Sequence, residues 1–115
     1  METATCTEKC SQVVPAAEDA LYIIAGKWKM RILITLAGGD KRFNELQRAL
    51  SGISARVLSN ELKDLELNGL VSRKILDNGT ILYVRNAYAD SLRSVMHELV
   101  QWGMDHKQKI RNREI

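Results

Sequence analysis

Apolar residues recur at helical spacing through most of this chain and change to strand spacing once, after Gly69. The first helical pattern follows Pro15, a residue favoured at helix starts. It covers residues 16–24, with Ala17, Ala20, Leu21 and Ile24 on one side. A second, residues 29–37, carries Met30, Leu33, Ile34 and Ala37, and Ile32 and Leu36 widen its stripe. Trp28 is placed to anchor its start, and Gly38-Gly39-Asp40 ends it. Lys41-Arg42-Phe43 reads as a basic step or brief strand. Residues 44–50 then form a short helix with Phe43, Leu46 and Leu50 inward and Asn44 as its cap.

Ser51-Gly52-Ile53 is a turn, and Ser54 is the N-cap of the most clearly marked helix, Ser54 to Asn68, closed by Gly69. Leu58, Leu62 and Leu65 fall at i, i+4 and i+7; Arg56, Ser59, Asn60 and Lys63 occupy the other side. A short helix, a glycine turn and a longer helix in succession have helix-turn-helix spacing. Residues 70–76 and 81–85 follow as strands around Asp77-Asn78-Gly79-Thr80, where Asn-Gly suits a type I′ hairpin. A hairpin directly after a helix-turn-helix is the wing of a winged helix. Asn86 is placed to cap a long last helix, residues 87–109, with Leu92, Val95, Met96, Leu99, Trp102, Gly103 and His106 on one side. The fold class is therefore mainly α with a small β-hairpin. One domain, residues 15–109, lies between a flexible N-terminal arm, residues 1–14, and a basic tail, residues 110–115.

Composition narrows the function. The chain has 115 residues, 45% hydrophobic and 27% charged, with a formal net charge of +3, so nucleic acid is an acceptable partner. No apolar run is long enough to span a bilayer and the N-terminus has no signal-peptide core, which places the expected location in the cytoplasm. Cys6 and Cys10 are too few for a disulfide framework and have no metal-ligand company. His97 and His106 are nine residues apart and share no helical turn. Gly38-Gly39 is no phosphate cradle, and no nucleophile has a triad context, so neither an enzyme nor a cofactor is expected.

Gly26-Lys27-Trp28, Lys41-Arg42-Phe43-Asn44-Glu45-Leu46, Gly52-Ile53-Ser54, Leu58, Leu62 and Leu65-Glu66, then Gly69-Leu70-Val71, occur in one order. In these motifs the chain resembles the HxlR-type winged helix-turn-helix regulators, bacterial and archaeal transcription factors related to the MarR group. The resemblance covers residues 16–103. It departs at the cysteines, which lie further upstream, at the wing, whose tip is tighter and lacks proline, and at Asn86 and Ala89, which replace a threonine and a glycine.

The resemblance implies a homodimer sealed by the first and last helices, through Leu21, Leu92, Val95, Met96, Leu99 and Trp102, bound to double-stranded DNA with two half-sites. Residues 54–68 become the recognition helix, with Ser54 at its start. Arg56, Ser59 and Asn60 are candidates for reading bases. Lys41, Arg42, Lys63 and the wing residues Arg73, Lys74 and Arg85 are candidates for phosphate. The alternatives are a winged helix that binds protein with the same face, and a thiol-based redox sensor using Cys6 or Cys10. No effector, small-molecule or redox, is specified.

Overall fold

A computed structural model describes residues 6–113, with side chains from residue 11 onward. Five α-helices and one two-stranded sheet follow in the order α1 (Cys6–Ile24), α2 (Lys29–Ala37), α3 (Phe43–Ala49), α4 (Ala55–Leu67), β1 (Val71–Ile75), β2 (Ile81–Arg85), a 3-10 helix (Ala87–Leu92) and α5 (Arg93–Asn112). The core lies where α2, α3, α4 and the base of the sheet meet. Ile32, Leu46, Leu58, Leu62, Leu65 and Val71 are fully buried there, with Trp28, Phe43, Tyr83 and Leu92 packed at its margin.

α4 is built as its sequence requires. The Ser54 hydroxyl accepts the Val57 N–H at 3.1 Å, filling one orphan donor of the first turn. At the other end Gly69 takes φ +76°, a conformation a side chain disfavours. The Leu70 N–H donates to the Leu65 carbonyl and the Gly69 N–H to that of Glu66, each at 3.0 Å. This is a Schellman closure, with buried Leu65 and Leu70 supplying its apolar contact.

Several local expectations are corrected. α1 does not begin at Pro15: it starts at Cys6 and carries Pro15 in its interior, so residues 6–14 are helical and only residues 1–5 of the expected arm lie outside the described part. The buried face of α2 is Lys29, Ile32, Leu33 and Leu36, whereas Ile34 and Ala37 are exposed. The i, i+3, i+4, i+7 series begins at a lysine because that lysine has partners on α4.

α3 starts at Phe43 with Arg42 in the N-cap position, and the Glu45 carboxylate reaches back to accept the Arg42 N–H at 2.8 Å; Asn44 lies inside the helix. Lys41 forms a single bridge to Tyr83 in place of a strand, with N–H to carbonyl distances of 3.2 and 2.7 Å. That bridge fixes the chain just before α3.

The hairpin turn is also different. Gly79 alone in the turn has positive φ (+86°), whereas type I′ needs it at Asn78 too. The Gly79 N–H reaches the Leu76 carbonyl, and the Leu76 N–H reaches that of Thr80. The loop is thus the three residues Asp77-Asn78-Gly79, with Asn78 Oδ1 accepting the Thr80 N–H. Asn86 occupies the N-cap position of the 3-10 helix that follows, but its side chain makes no cap bond. Its side chain accepts from the Ser72 hydroxyl at 2.6 Å and donates to the Gly69 carbonyl at 3.0 Å, tying the end of α4 to the base of the wing. The long terminal element is a 3-10 turn leading into α5, which runs to Asn112, past the expected end at Lys109.

Because Leu58 has no exposed surface, Leu58→Ala should lower unfolding free energy by about 2–5 kcal/mol. Urea denaturation followed by circular dichroism measures this. A loss below about 1 kcal/mol would mean that α4 is not held by its leucine stripe.

Candidate nucleic-acid interface

The outer face of α4 is set by the same period that buries its leucines. Arg56, Asn60, Lys63 and Leu67 recur at i, i+4, i+7 and i+11 and are all exposed. Leu67, at 85% exposure, was not among the sequence candidates, although the period alone places it there. Ser59 is half-buried at the edge of this face, on the side of Glu66. The Ser54 hydroxyl is engaged as the cap.

α4 carries three carboxylates, Glu61, Asp64 and Glu66, against two cations, Arg56 and Lys63. Every one of the three is paired with a cation from another element. Lys29 of α2 places Nζ 2.7 Å from Glu61 Oε1 and 3.3 Å from Asp64 Oδ2. Arg73 of β1 places Nε 3.2 Å from Glu66 Oε1. Among the described residues Arg56 and Lys63 have no carboxylate partner. The acids are drawn to the flanks and the cations stand unopposed on the outer face.

Lys29 and its partners were not legible as a cluster. Lys29 is 6% exposed, the one buried charged side chain among the described residues. Its ammonium also lies 4.9 Å from the centre of the Tyr22 ring, and the Tyr22 hydroxyl donates to Asp64 Oδ2 at 2.8 Å. Burial works against the Lys29 charge, but the hydrogen bonds with Glu61 and Asp64 outweigh it and hold the ammonium above the ordinary lysine range. The Tyr22 hydroxyl, and after it Lys29, holds the Asp64 carboxyl below the usual carboxylate range.

The remaining candidates separate into two groups. Lys41 and Arg42 sit at the entrance to α3, where the bond from the Arg42 N–H holds Glu45 below the ordinary carboxylate range. Arg48, in the last turn of α3, is exposed and was missed, though it is the only base within that helix. The wing cations do not line one surface. Arg73 pairs across the sheet with Tyr83, and Lys74 with Leu82, so the two project from opposite faces. Arg85 turns away altogether. Its guanidinium lies 2.6 Å from Asp90 Oδ1, holding that carboxyl below its ordinary range, and it borders a groove with Leu33, Ile34, Ala37, Ala89, Arg93 and Met96.

The terminal helices carry exposed apolar surface. α5 buries no side chain. Val95, Leu99 and Trp102 are exposed at 41%, 43% and 66%, and His106 stacks on Trp102 with ring centres 4.7 Å apart. Leu92 and Met96 are half-buried, and Leu21 is exposed on α1. The thiol alternative concerns Cys6 and Cys10, whose side chains lie outside the described residues.

A short helix, a capped second helix with a cationic outer face and a two-stranded wing define a winged helix-turn-helix protein of the DNA-binding class. The description HxlR-like helix-turn-helix matches residues 23–111, and the chain belongs to that family of transcriptional regulators, which are not enzymes. YdzF, an HTH-type transcriptional regulator of Bacillus subtilis (strain 168), is 41% identical over 92 residues, 76% of this chain and 83% of that protein. A MarR-family regulator from Enterococcus faecalis V583 is 33% identical, covers 96% of this chain and 99% of its own, and superposes with a TM-score of 0.76. The reduced form of the redox regulator HypR is 27% identical, covers 84% and 98%, and superposes at 0.73. No helix among the described residues is long and apolar enough to cross a membrane.

The Tyr22 bond makes a pH prediction. A carboxylate whose folded pKa is depressed contributes stability that is complete above the unfolded value, near 4, and is lost as pH falls through the folded one. Tyr22→Phe removes the largest cause of the Asp64 depression, so Asp64 should titrate closer to the ordinary value and acid unfolding should begin at a higher pH. Carboxyl-carbon NMR follows the first and circular dichroism the second. An Asp64 titration that does not move upward would contradict the assignment.

Proposed function

We propose that this protein is a sequence-specific transcriptional regulator that binds double-stranded DNA as a homodimer on a two-half-site operator. The observation that carries the DNA-reading face is the pairing of all three α4 carboxylates with cations of other elements, which leaves Arg56, Asn60 and Lys63 as the outward polar groups. Arg and Asn have donor and acceptor geometry for guanine and adenine edges in the major groove. Lys63, Lys41, Arg42 and Arg48 supply phosphate contacts around them, and Lys74 one from the wing. Arg73 and Arg85 act within the fold, through Glu66 and Asp90, and are left out of the reading surface.

Dimerisation is supported by what one chain leaves uncovered. The Cα radius of gyration is 17.5 Å, against roughly 13 Å for a compact chain near this length. α5 protrudes with a continuous apolar stripe, and residues 11–22 of α1 are all exposed. Contiguous apolar surface of this kind marks an interface. A two-fold pair would present two copies of α4 to half-sites about 34 Å apart on one face of the duplex.

Two measurements test this reading. Against a duplex selected from random sequence, Arg56→Ala should cost about 1–3 kcal/mol and relax preference at one position. Lys63→Ala should weaken binding to any duplex and reduce the slope of log affinity against log salt by about one. Affinity without salt dependence would favour the protein-binding alternative.

For the dimer, Trp102→Glu should convert a two-chain species to one chain by light scattering at micromolar concentration, with helical content retained. Wild-type protein that is already monomeric there would overturn the dimer.

A further inference from the structure

We propose that Lys29 is a positioning residue for DNA binding: from within the core it holds Glu61 and Asp64 on the flank of α4, away from the phosphates that Arg56 and Lys63 meet. The proposal rests on the reading of α4 as the recognition helix and assigns a role to a residue that cannot itself reach the duplex.

The geometry is specific. Lys29 opens α2 on its buried face, in series with Ile32, Leu33 and Leu36. An apolar side chain would suit that place at least as well, because burying an ammonium carries a desolvation cost that an ion pair does not reliably recover. What the ammonium adds is control of charge on the neighbouring helix. Glu61 is bound at 2.7 Å and Asp64 at 3.3 Å, on the side of α4 that faces α2. Asp64 is held a second time, by the Tyr22 hydroxyl at 2.8 Å.

Both carboxylates remain partly exposed. Without Lys29 they are free to swing outward and hydrate, and α4 then offers its two cations beside two unneutralised acids. Repulsion from phosphate follows directly, although no group that touches DNA has changed.

The test compares wild type, Lys29→Met, the double variant E61Q/D64N and the triple variant K29M/E61Q/D64N on a selected duplex and on random duplex. Circular dichroism of each variant reports its fold. Lys29→Met should bind both duplexes roughly tenfold more weakly at low salt, and the deficit should shrink as added salt screens the freed carboxylates. The triple variant, which lacks the freed charges, should return to within about threefold of wild type. A purely structural role for Lys29 would instead lower the helical content and urea midpoint of Lys29→Met together with its affinity, and the triple variant would recover all three at once.

Lys29→Met with wild-type affinity overturns the proposal, and so does a triple variant as weak as Lys29→Met. A deficit that does not shrink with salt would mean that the loss is not charge repulsion and overturn it as well. If Lys29→Met does not fold, E61Q/D64N with Lys29 intact decides: affinity within about threefold of wild type supports the role, and a gain of roughly tenfold or more shows that Lys29 was not masking those charges and ends it. Wild-type protein that binds neither duplex overturns the DNA reading itself, whereas normal wild-type binding with an unaffected Lys29→Met overturns only this step.

Discussion

α4 has to satisfy two demands at once, and most of the structure follows from how it does so. One side buries Leu58, Leu62 and Leu65 completely, and the other leaves Arg56, Asn60 and Lys63 exposed, where the proposed function has them meet DNA. Full burial of a leucine contributes about 1.5–3 kcal/mol, so three in line set the rotation of the helix firmly. A leucine stripe does not, however, control what the flanks carry. Those flanks hold Glu61 and Asp64 on one side and Glu66 on the other, and elements before and after α4 in the chain supply the cations that meet them. Under the proposed role of Lys29, these ion pairs would matter less for stability than for the distribution of charge that they leave outward.

The elements legible in the sequence are those with local physical causes. α4 was readable because Ser54 caps it and Gly69 ends it, both through hydrogen bonds within a few residues. The bounds of α2 and β2 also agree with the sequence reading, α2 being stopped by Gly38-Gly39 and β2 opened by the turn at Gly79. What was not legible depends on distant partners. The buried face of α2 begins at Lys29 because Glu61 and Asp64 lie 32 and 35 positions further along the chain; taken alone, a lysine reads as the polar margin of a stripe. Asn86 looked like a helix cap, but Gly69 and Ser72 are drawn to it by the fold. Arg85 reads as a free wing cation; it does end β2, but its guanidinium is paired with Asp90, five residues on in the 3-10 helix.

Pro15 is the instructive case for α1. Inside a helix, proline removes a backbone donor and costs about 3 kcal/mol or more, which makes it a reasonable place to begin one. The helix nevertheless runs from Cys6 through Pro15 to Ile24, although the described side chains before Ile23 are all exposed. Packing within this chain does not account for that continuity. A second copy against α1 and α5 would, and under the proposed dimer the same contact would cover Val13, Val14 and Leu21 along with the α5 stripe.

In such a dimer α1 would belong to both functions. Its outer surface would help to set the distance between two copies of α4, while Tyr22, near its end, is hydrogen-bonded to Asp64 on α4 itself. Spacing and reading are then joined through one side chain and the ammonium beneath it, with no intervening loop. The wing is a weaker lever on the same duplex. Arg73 is committed to Glu66, Arg85 to Asp90, and the three-residue tip leaves Ile75 and Ile81 exposed as a cross-strand pair. Under the proposed function discrimination among sequences would come from α4, and its quality would depend on how rigidly α2 and α1 hold that helix.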